Sequence, residues 1–556
     1  MQQRNERATP CLCAALLLAC TAGPALADAP STQATDTTPR MGTALRWDHV
    51  DLTLAELAAK LPPVRTVAPS REVPNQLQPL VLRPRDELAQ DPLAGNGLNP
   101  LSMPSVLRSF EGPSSDDNQA VTGNRIMPPD TNGDVSENFV VSYVNLVWRV
   151  YDKAGNPIGG ALAGNTFWAG FGGACETNND GDPIVLYDHV ARRWVFSQFA
   201  PRSGIQCFAL SDTEDPNSGL TRYAFLVEPA AFNDYPKIGV WVSADGTQSA
   251  YTYTGRNFIP QASPTTARDI TAVLFDRNAM LSGAAAAFVS VVVPGGFTNF
   301  DGLQPGHVES GNLAPGGACP LFTVADAPNL YRFFEFCENF PGNGAFTTLP
   351  TVAVATFDNG LGNVPAPGGN SMATLAAFTM YRASHANIGG EHRLAVAHTV
   401  DAGGDRAGMR WTILDVDNYS AITVIDQGTF APNDGRERWM GAVTLDQVGN
   451  LGMGYTRGGG ADFPSVFVTG REVGDPAGTL QAESECVLGT GSQTGGTRWG
   501  DYSSTSLDPA DGCTFWTFQE YVATTGSFEW NTRVCAFSFP SCQSEPGDLG
   551  WLPAVL

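Results

Sequence analysis

The chain has 556 residues, with 32 Lys+Arg against 56 Asp+Glu and a net charge of −24. A surface that acidic repels phosphate backbones and argues against a nucleic-acid partner. Past the N-terminal leader no run approaches the ~20 apolar residues of a membrane helix, so no membrane span is expected.

Residues 1–27 read as a secretory signal peptide: Arg4 and Arg7, an apolar run from Cys11 to Cys20, then Ala25-Leu26-Ala27 before Asp28. An alternative takes Leu17-Leu18-Ala19-Cys20 as a lipoprotein signal with a lipid anchor on Cys20. The expected location is secreted or periplasmic. Eight cysteines follow the leader: Cys175, Cys207, Cys319, Cys337, Cys486, Cys513, Cys535 and Cys542. An even number in an exported chain points to disulfides. Sequential pairing would close four local loops, each within one repeat, although other connectivities stay open.

Residues 28–104 form a Pro-rich N-terminal extension. One short helix is expected from Asp51 to Leu61, with Thr53 and Glu56 as a capping box and Pro62-Pro63 as the stop. The rest, such as Leu80 to Arg85, reads as extended chain or linker. The main domain is placed at 105–545, with a C-terminal tail at 546–556.

From Ser109 onward, strand-like segments alternate with turns rich in Gly, Asp, Asn and Pro. Phe139 to Val150 reads as one strand, ended by a hairpin signal at Asp152 to Asn156. Later strands are expected at Gln206–Leu210, Ala287–Val293, Leu330–Phe336, Thr351–Phe357, Leu394–Val400, Val466–Gly470 and Phe515–Tyr521. Repeat starts fall near 130, 182, 234, 307, 375, 439 and 500. Such spacing holds four strands and three turns, as in a propeller blade. The expected fold is all-β: a β-propeller of six or seven four-stranded blades, with stacked β-sandwiches as the alternative.

In a propeller the repeated acids Asp130, Asp182, Asp234 and Asp501 would crowd towards one rim or the channel. Like charges at that range disfavour joint ionisation unless a cation or donors intervene. The simpler reading makes each Asp a turn cap. Asp130-Thr131-Asn132-Gly133-Asp134 has oxygen ligands at alternate positions, so Asp130, Asn132 and Asp134 are candidate Ca²⁺ ligands. Position 141 is Val, so this is no EF-hand.

Several of these stretches resemble a family of exported bacterial β-propeller proteins, loosely similar to the sialidase-like superfamily. They are Pro128-Pro129-Asp130-Thr131-Asn132-Gly133-Asp134-Val135, Gly181 to Asp188, Asn233 to Val240, Arg438-Trp439-Met440-Gly441, and Arg498-Trp499-Gly500-Asp501-Tyr502-Ser503-Ser504. The likeness spans roughly 105 to 542 and implies the propeller fold. It brings no reaction and no catalytic role. Ser371 to Leu375 stands where the family has an Asp-rich start to the fifth repeat, which breaks any complete Asp ring.

No Ser/His/Asp order stands out, and no zinc spacing occurs. Two readings of function follow. The first is an exported binding module presenting a rim or channel site to an extracellular glycan or surface protein, with Ca²⁺ as a stabilising cofactor. Tyr235, Trp439, Arg498, Trp499 and Tyr502 are its candidate ligand residues. The second is a polysaccharide hydrolase or lyase, with Asp182, Asp234 and Asp501 as candidate catalytic carboxylates and Glu437 and Glu520 nearby. The aromatic residues also suit plain core packing.

Overall fold

A computed structural model describes residues 38–61, 71–72, 91–94, 98–262, 266–294, 302–309 and 312–542. The leader and the C-terminal tail lie outside the described residues. The chain is nearly all β, with 49% strand and 8% helix.

Successive antiparallel meanders follow one another along the chain. Their first strands are β1 (Asn132–Val135), β2 (Ile184–Asp188), β3 (Phe232–Val242), β4 (Gln304–Val308), β5 (Ala383–Ile388), β6 (Glu437–Leu445) and β7 (Ser504–Leu507). Each first strand is buried on both faces or nearly so, which explains its mixture of small, apolar and polar residues instead of strict alternation. Each also packs against its neighbours: β1 on β2, β2 on β3, β3 on β4, and so on to β7, which packs on both β6 and β1. Between β4 and β5 the approach is close enough for parallel pairing, Gly306↔Ala383 to Val308↔His385. At Gly239 the approach of β3 to β4 leaves no room for a side chain. A Cβ on Gly239 would lie 2.4 Å from the carbonyl oxygen of Gly306.

The N-terminal extension is no free linker where it is described. Arg40–Thr43 adds an edge strand to the β3 sheet, and Arg46–Val50 adds one to the β2 sheet. Arg108–Glu111 is the outer strand of the β7 sheet, paired with Asn531–Phe537. Asp91 is buried and forms an ion pair with Arg410 at 2.7 Å. Four or five residues suffice to extend a sheet edge, so no periodic pattern announces such strands in the sequence. The helix covers Leu54–Ala58, with the Thr53 and Glu56 capping box in place.

Two strand expectations are corrected. Phe139 to Val150 is two strands, Phe139–Val144 and Val147–Asp152, joined at Asn145-Leu146. Leu146 takes φ +72°, and Asn145 donates through Nδ2 to the Pro128 carbonyl at 2.9 Å. Thr351 to Phe357 keeps only Val352–Ala353 as strand. From there a long irregular segment runs to β5, and its Phe357, Leu361, Met372, Phe378 and Tyr381 enter the largest core cluster.

The eight cysteines after the leader, of 11 in the sequence, all pair. Cys175–Cys207 and Cys319–Cys337 follow sequence order, but the last four do not. Cys486 pairs with Cys535 and Cys513 with Cys542. Cys486 lies on Ser484–Val487 at the outer edge of the β6 sheet, and Cys535 lies on the strand next to the outermost one in the β7 sheet. That bridge joins two sheets, which a one-repeat rule cannot foresee. No described helix is long and apolar enough to cross a membrane. Four disulfides fit an oxidising compartment. Peptide mapping under non-reducing conditions should recover fragments joining Cys486 to Cys535 and Cys513 to Cys542. A fragment joining Cys486 to Cys513 would contradict the fold.

Candidate functional site

The first strands meet around a buried arginine. Arg382 sits one residue before β5 and is about 1% exposed. Its Nη2 donates to Asp134 Oδ2 at 2.9 Å and to the Gly133 carbonyl at 3.3 Å, both on β1. Its Nη1 lies 3.7 Å from Glu309 Oε2, and His307 Nε2 is 3.5 Å from the same oxygen. Glu309 Oε1 accepts the Leu507 N–H of β7 at 2.9 Å. Burial pushes the Glu309 carboxyl up to about 7, against the pull of Arg382. His307 Nδ1 accepts the Val240 N–H of β3 at 3.1 Å, and burial holds the imidazole neutral.

The candidate Ca²⁺ ligands Asn132 and Asp134 belong to this bonding, and their oxygens are engaged. Asn132 Oδ1 accepts the Val185 N–H at 2.6 Å and Asp134 Oδ2 accepts the Tyr187 N–H at 2.8 Å. Both bonds join β1 to β2. Asp130 stands apart from them, with no hydrogen-bond partner on either carboxyl oxygen.

Asp130 belongs instead with a second cluster beside the first strands. Asp130, Asp182, Asp234 and Asp501 are all at most 1% exposed and interact electrostatically with one another and with Lys237. Backbone conformation corrects the repeat alignment. Asp130, Asp182, Tyr235, Met440 and Asp501 share a left-handed φ of +41° to +56°. Tyr235 is thus the counterpart of the other aspartates, and Asp234 precedes that position by one residue. Asp tolerates this conformation better than most residues, which is one reason it recurs there.

The polar contacts are uneven. Asp182 Oδ2 accepts the Tyr235 N–H at 3.1 Å, and its own N–H donates to Asn145 Oδ1 at 2.7 Å. Asp501 Oδ2 is bonded to Arg498. Asp130 and Asp234 have no hydrogen-bond partner on any carboxyl oxygen, and Asp182 and Asp501 each keep one such Oδ1. Lys237 is buried and donates to the Pro236 carbonyl at 3.0 Å. Its Nζ lies 3.3 Å from the Tyr235 ring centre and 3.7 Å from that of Tyr502. Burial lowers the Lys237 ammonium to about 7, opposed by the aspartates. Burial, then Asp501 and Asp182, hold Asp130 well above the usual carboxylate range. Burial first, with Asp501 adding to it, lifts Asp234 to about 6.

Four of the five residues expected to bind ligand are buried. Trp439 and Trp499 have no exposed surface and pack on each other, ring centres 5.7 Å apart. Tyr235 and Tyr502 are buried, and their hydroxyls donate to the Asp501 and Pro183 carbonyls. These rings are core, as their hydrophobic area favours, so no sugar can stack on them here. Arg498 keeps a partly exposed side chain. Glu520 is buried, with Oε2 on the Gly500 N–H at 2.8 Å, whereas Glu437 is only partly buried and accepts the Ala407 N–H.

The sequence did not point to Lys237, Glu309 or Arg382 as site residues. A lone Lys inside a strand as apolar as Ile238 to Val242 was the available signal for the first. Among the described residues, three potential metal-ligand atoms lie within 4.8 Å of one another at Cys319, Glu335 and Cys337, whose cysteines are disulfide-bonded. The four aspartates do not form such a group.

No protein-family model matches the sequence, and no curated protein matches it. Among solved structures, the chain is similar to an α-L-arabinanase from Penicillium chrysogenum (10% identity, 62% of this chain and 90% of that one, TM-score 0.33). It is also similar to an α-L-arabinofuranosidase from Lactobacillus brevis (12% identity, 65% and 92% covered, TM-score 0.29). A third is a Hadza microbial sialidase (8% identity, 72% and 76% covered, TM-score 0.33). At these TM-scores the likeness carries no argument about this chain.

Two outcomes are expected. Replacing Arg382 by Met leaves Asp134 and Glu309 buried without their counter-charge, and should cost roughly 3–5 kcal/mol in urea unfolding. Asp234 has a folded-state pKa of about 6, above the ordinary 3.8. Its protonation therefore contributes stability that is present below about pH 4 and lost as pH rises to about 6. Relative to Asp234→Asn, the wild type measured in excess chelator should lose up to about 1.4 kcal/mol for each pH unit across that window. A pH-independent difference in denaturation midpoint would refute this.

Proposed function

We propose that the protein is an exported β-propeller of seven four-stranded blades that works as a binding module for a glycan or surface ligand. The cyclic packing of β1 to β7 supports the ring, as does the N-terminal strand Arg108–Glu111 completing the β7 sheet. Mixing strands from both ends of the chain in one sheet is an effective way to hold such a ring shut. The disulfides and the leader sequence support export.

One observation favours binding over hydrolysis: Asp182, Asp234 and Asp501 are at most 1% exposed. Glycoside hydrolysis needs two carboxyl groups within reach of the scissile bond. These carboxyls reach only protein. Arg498 is the member of the expected ligand set that meets solvent, and we place the ligand-facing rim around it. Its neighbours Thr494 and Thr497 are exposed as well.

The test is a panel of polysaccharides, scored for both retention and product release by the mature, disulfide-bonded protein. Retention of one glycan class without release is expected, weakened about tenfold or more by Arg498→Gln through loss of a charged hydrogen bond. Product release that disappears in Asp501→Asn would establish a hydrolase or lyase instead. Absence of retention across the panel would remove the glycan reading.

A further inference from the structure

Among the described residues, the aspartate cluster gathers several buried oxygens that lack a hydrogen-bond partner. Both oxygens of Asp130, both of Asp234, Oδ1 of Asp182 and Oδ1 of Asp501 lack a hydrogen-bond partner. Glu520, from the strand Phe515–Tyr521 behind Asp501, adds a buried Oε1 in the same state. Burying a carboxylate without donors is costly, and native interiors rarely leave so many acceptors open together. The nearby cations leave these oxygens without a hydrogen bond: Arg256, across from Asp234 on the next strand, acts on that carboxyl only through its charge. Lys237 is turned onto two phenol rings and the Pro236 carbonyl, and the Arg498 bond occupies one Asp501 oxygen.

We propose that Asp130, Asp182, Asp234 and Asp501 form a site for a hard divalent cation, best suited to Ca²⁺, that links the β1, β2, β3 and β7 sheets. The six open aspartate oxygens match the 6–8 oxygen ligands, roughly, that Ca²⁺ takes at 2.3–2.6 Å. All four residues supply hard oxygen donors, with no His or Cys among them to select zinc. Mg²⁺ demands tighter octahedral geometry and retains water, which suits this dry, four-segment cage poorly. No three of these carboxylates lie within 4.8 Å of one another, so the proposal requires the ion to draw them together on binding. Phe378 packs 5.0 Å from Tyr235, so the irregular segment before β5 lies against the cluster.

This proposal stands on the buried cluster and not on the glycan reading, and its test involves no carbohydrate. Elemental analysis of the purified protein should find a stoichiometric Ca²⁺. Prolonged dialysis against EDTA should lower the Tm and added Ca²⁺ should restore it, because an ion held only by the folded state stabilises that state. The shift should vanish in Asp130→Asn and Asp234→Asn and persist in Asp245→Asn, an aspartate in an exposed turn. Should the cluster variants fail to fold, terbium ions added to the wild type provide the second measurement. Tyrosine excitation should sensitise terbium emission, Ca²⁺ should quench it by displacement, and Tyr502→Phe should reduce it. Three results would overturn the proposal: a Tm indifferent to EDTA, Ca²⁺ and Mg²⁺ with no bound ion; a Ca²⁺ shift retained by both cluster variants; or terbium emission unchanged by Ca²⁺.

Discussion

Arg382 is the contact on which the centre of this protein depends. It enters from the fifth meander and spends its guanidinium on β1, through Asp134 and the Gly133 carbonyl, and on Glu309 beside β4. Glu309 passes the connection to β7 by accepting the Leu507 N–H. Asp134 passes it to β2 through the Tyr187 N–H. A buried charge is tolerable only when paired and hydrogen-bonded, so each of these groups requires the others in place. Bonds between the polar side chains and backbone of adjacent first strands continue the same theme. Ser503 Oγ donates to the Met440 carbonyl, and Thr505 Oγ1 to that of Ala442. First strands from different meanders are thereby tied at the centre, as well as packed through the aromatic core.

The aspartate cluster is a separate electrostatic problem laid beside this one. Its carboxylates are brought together by a backbone habit: Asp130, Asp182 and Asp501 occupy the same left-handed position before their strands. Asp234 joins from one residue earlier because its own sheet puts Tyr235 there. That phenol completes a cage with Tyr502 around Lys237. The site therefore mixes a repeated element with one departure from the repeat, and the departure supplies the internal cation. Where the fifth repeat lacks an acid, the segment before β5 contributes Phe378 instead, packed on Tyr235 and 4.9 Å from Arg256.

The sequence alone determined the all-β class, the recurrence of short meanders, and the acids and aromatic residues at their starts. Turn chemistry and strand composition are local properties, and each repeat states them again. The first two disulfides were legible for the same reason, since their partners are neighbours in sequence. Tertiary structure alone decided which residues are reachable. Trp439 and Trp499 read more readily as core than as sugar platforms, and their mutual packing at zero exposure places them in the core. It also decided the placement of the N-terminal strands, the Cys486–Cys535 bridge between sheets, and the meeting of Arg382 with Asp134 across 248 positions. The physical reason is common to all of these. Edge pairing, burial and charge compensation are settled between segments remote in the chain, and no local pattern encodes the partner.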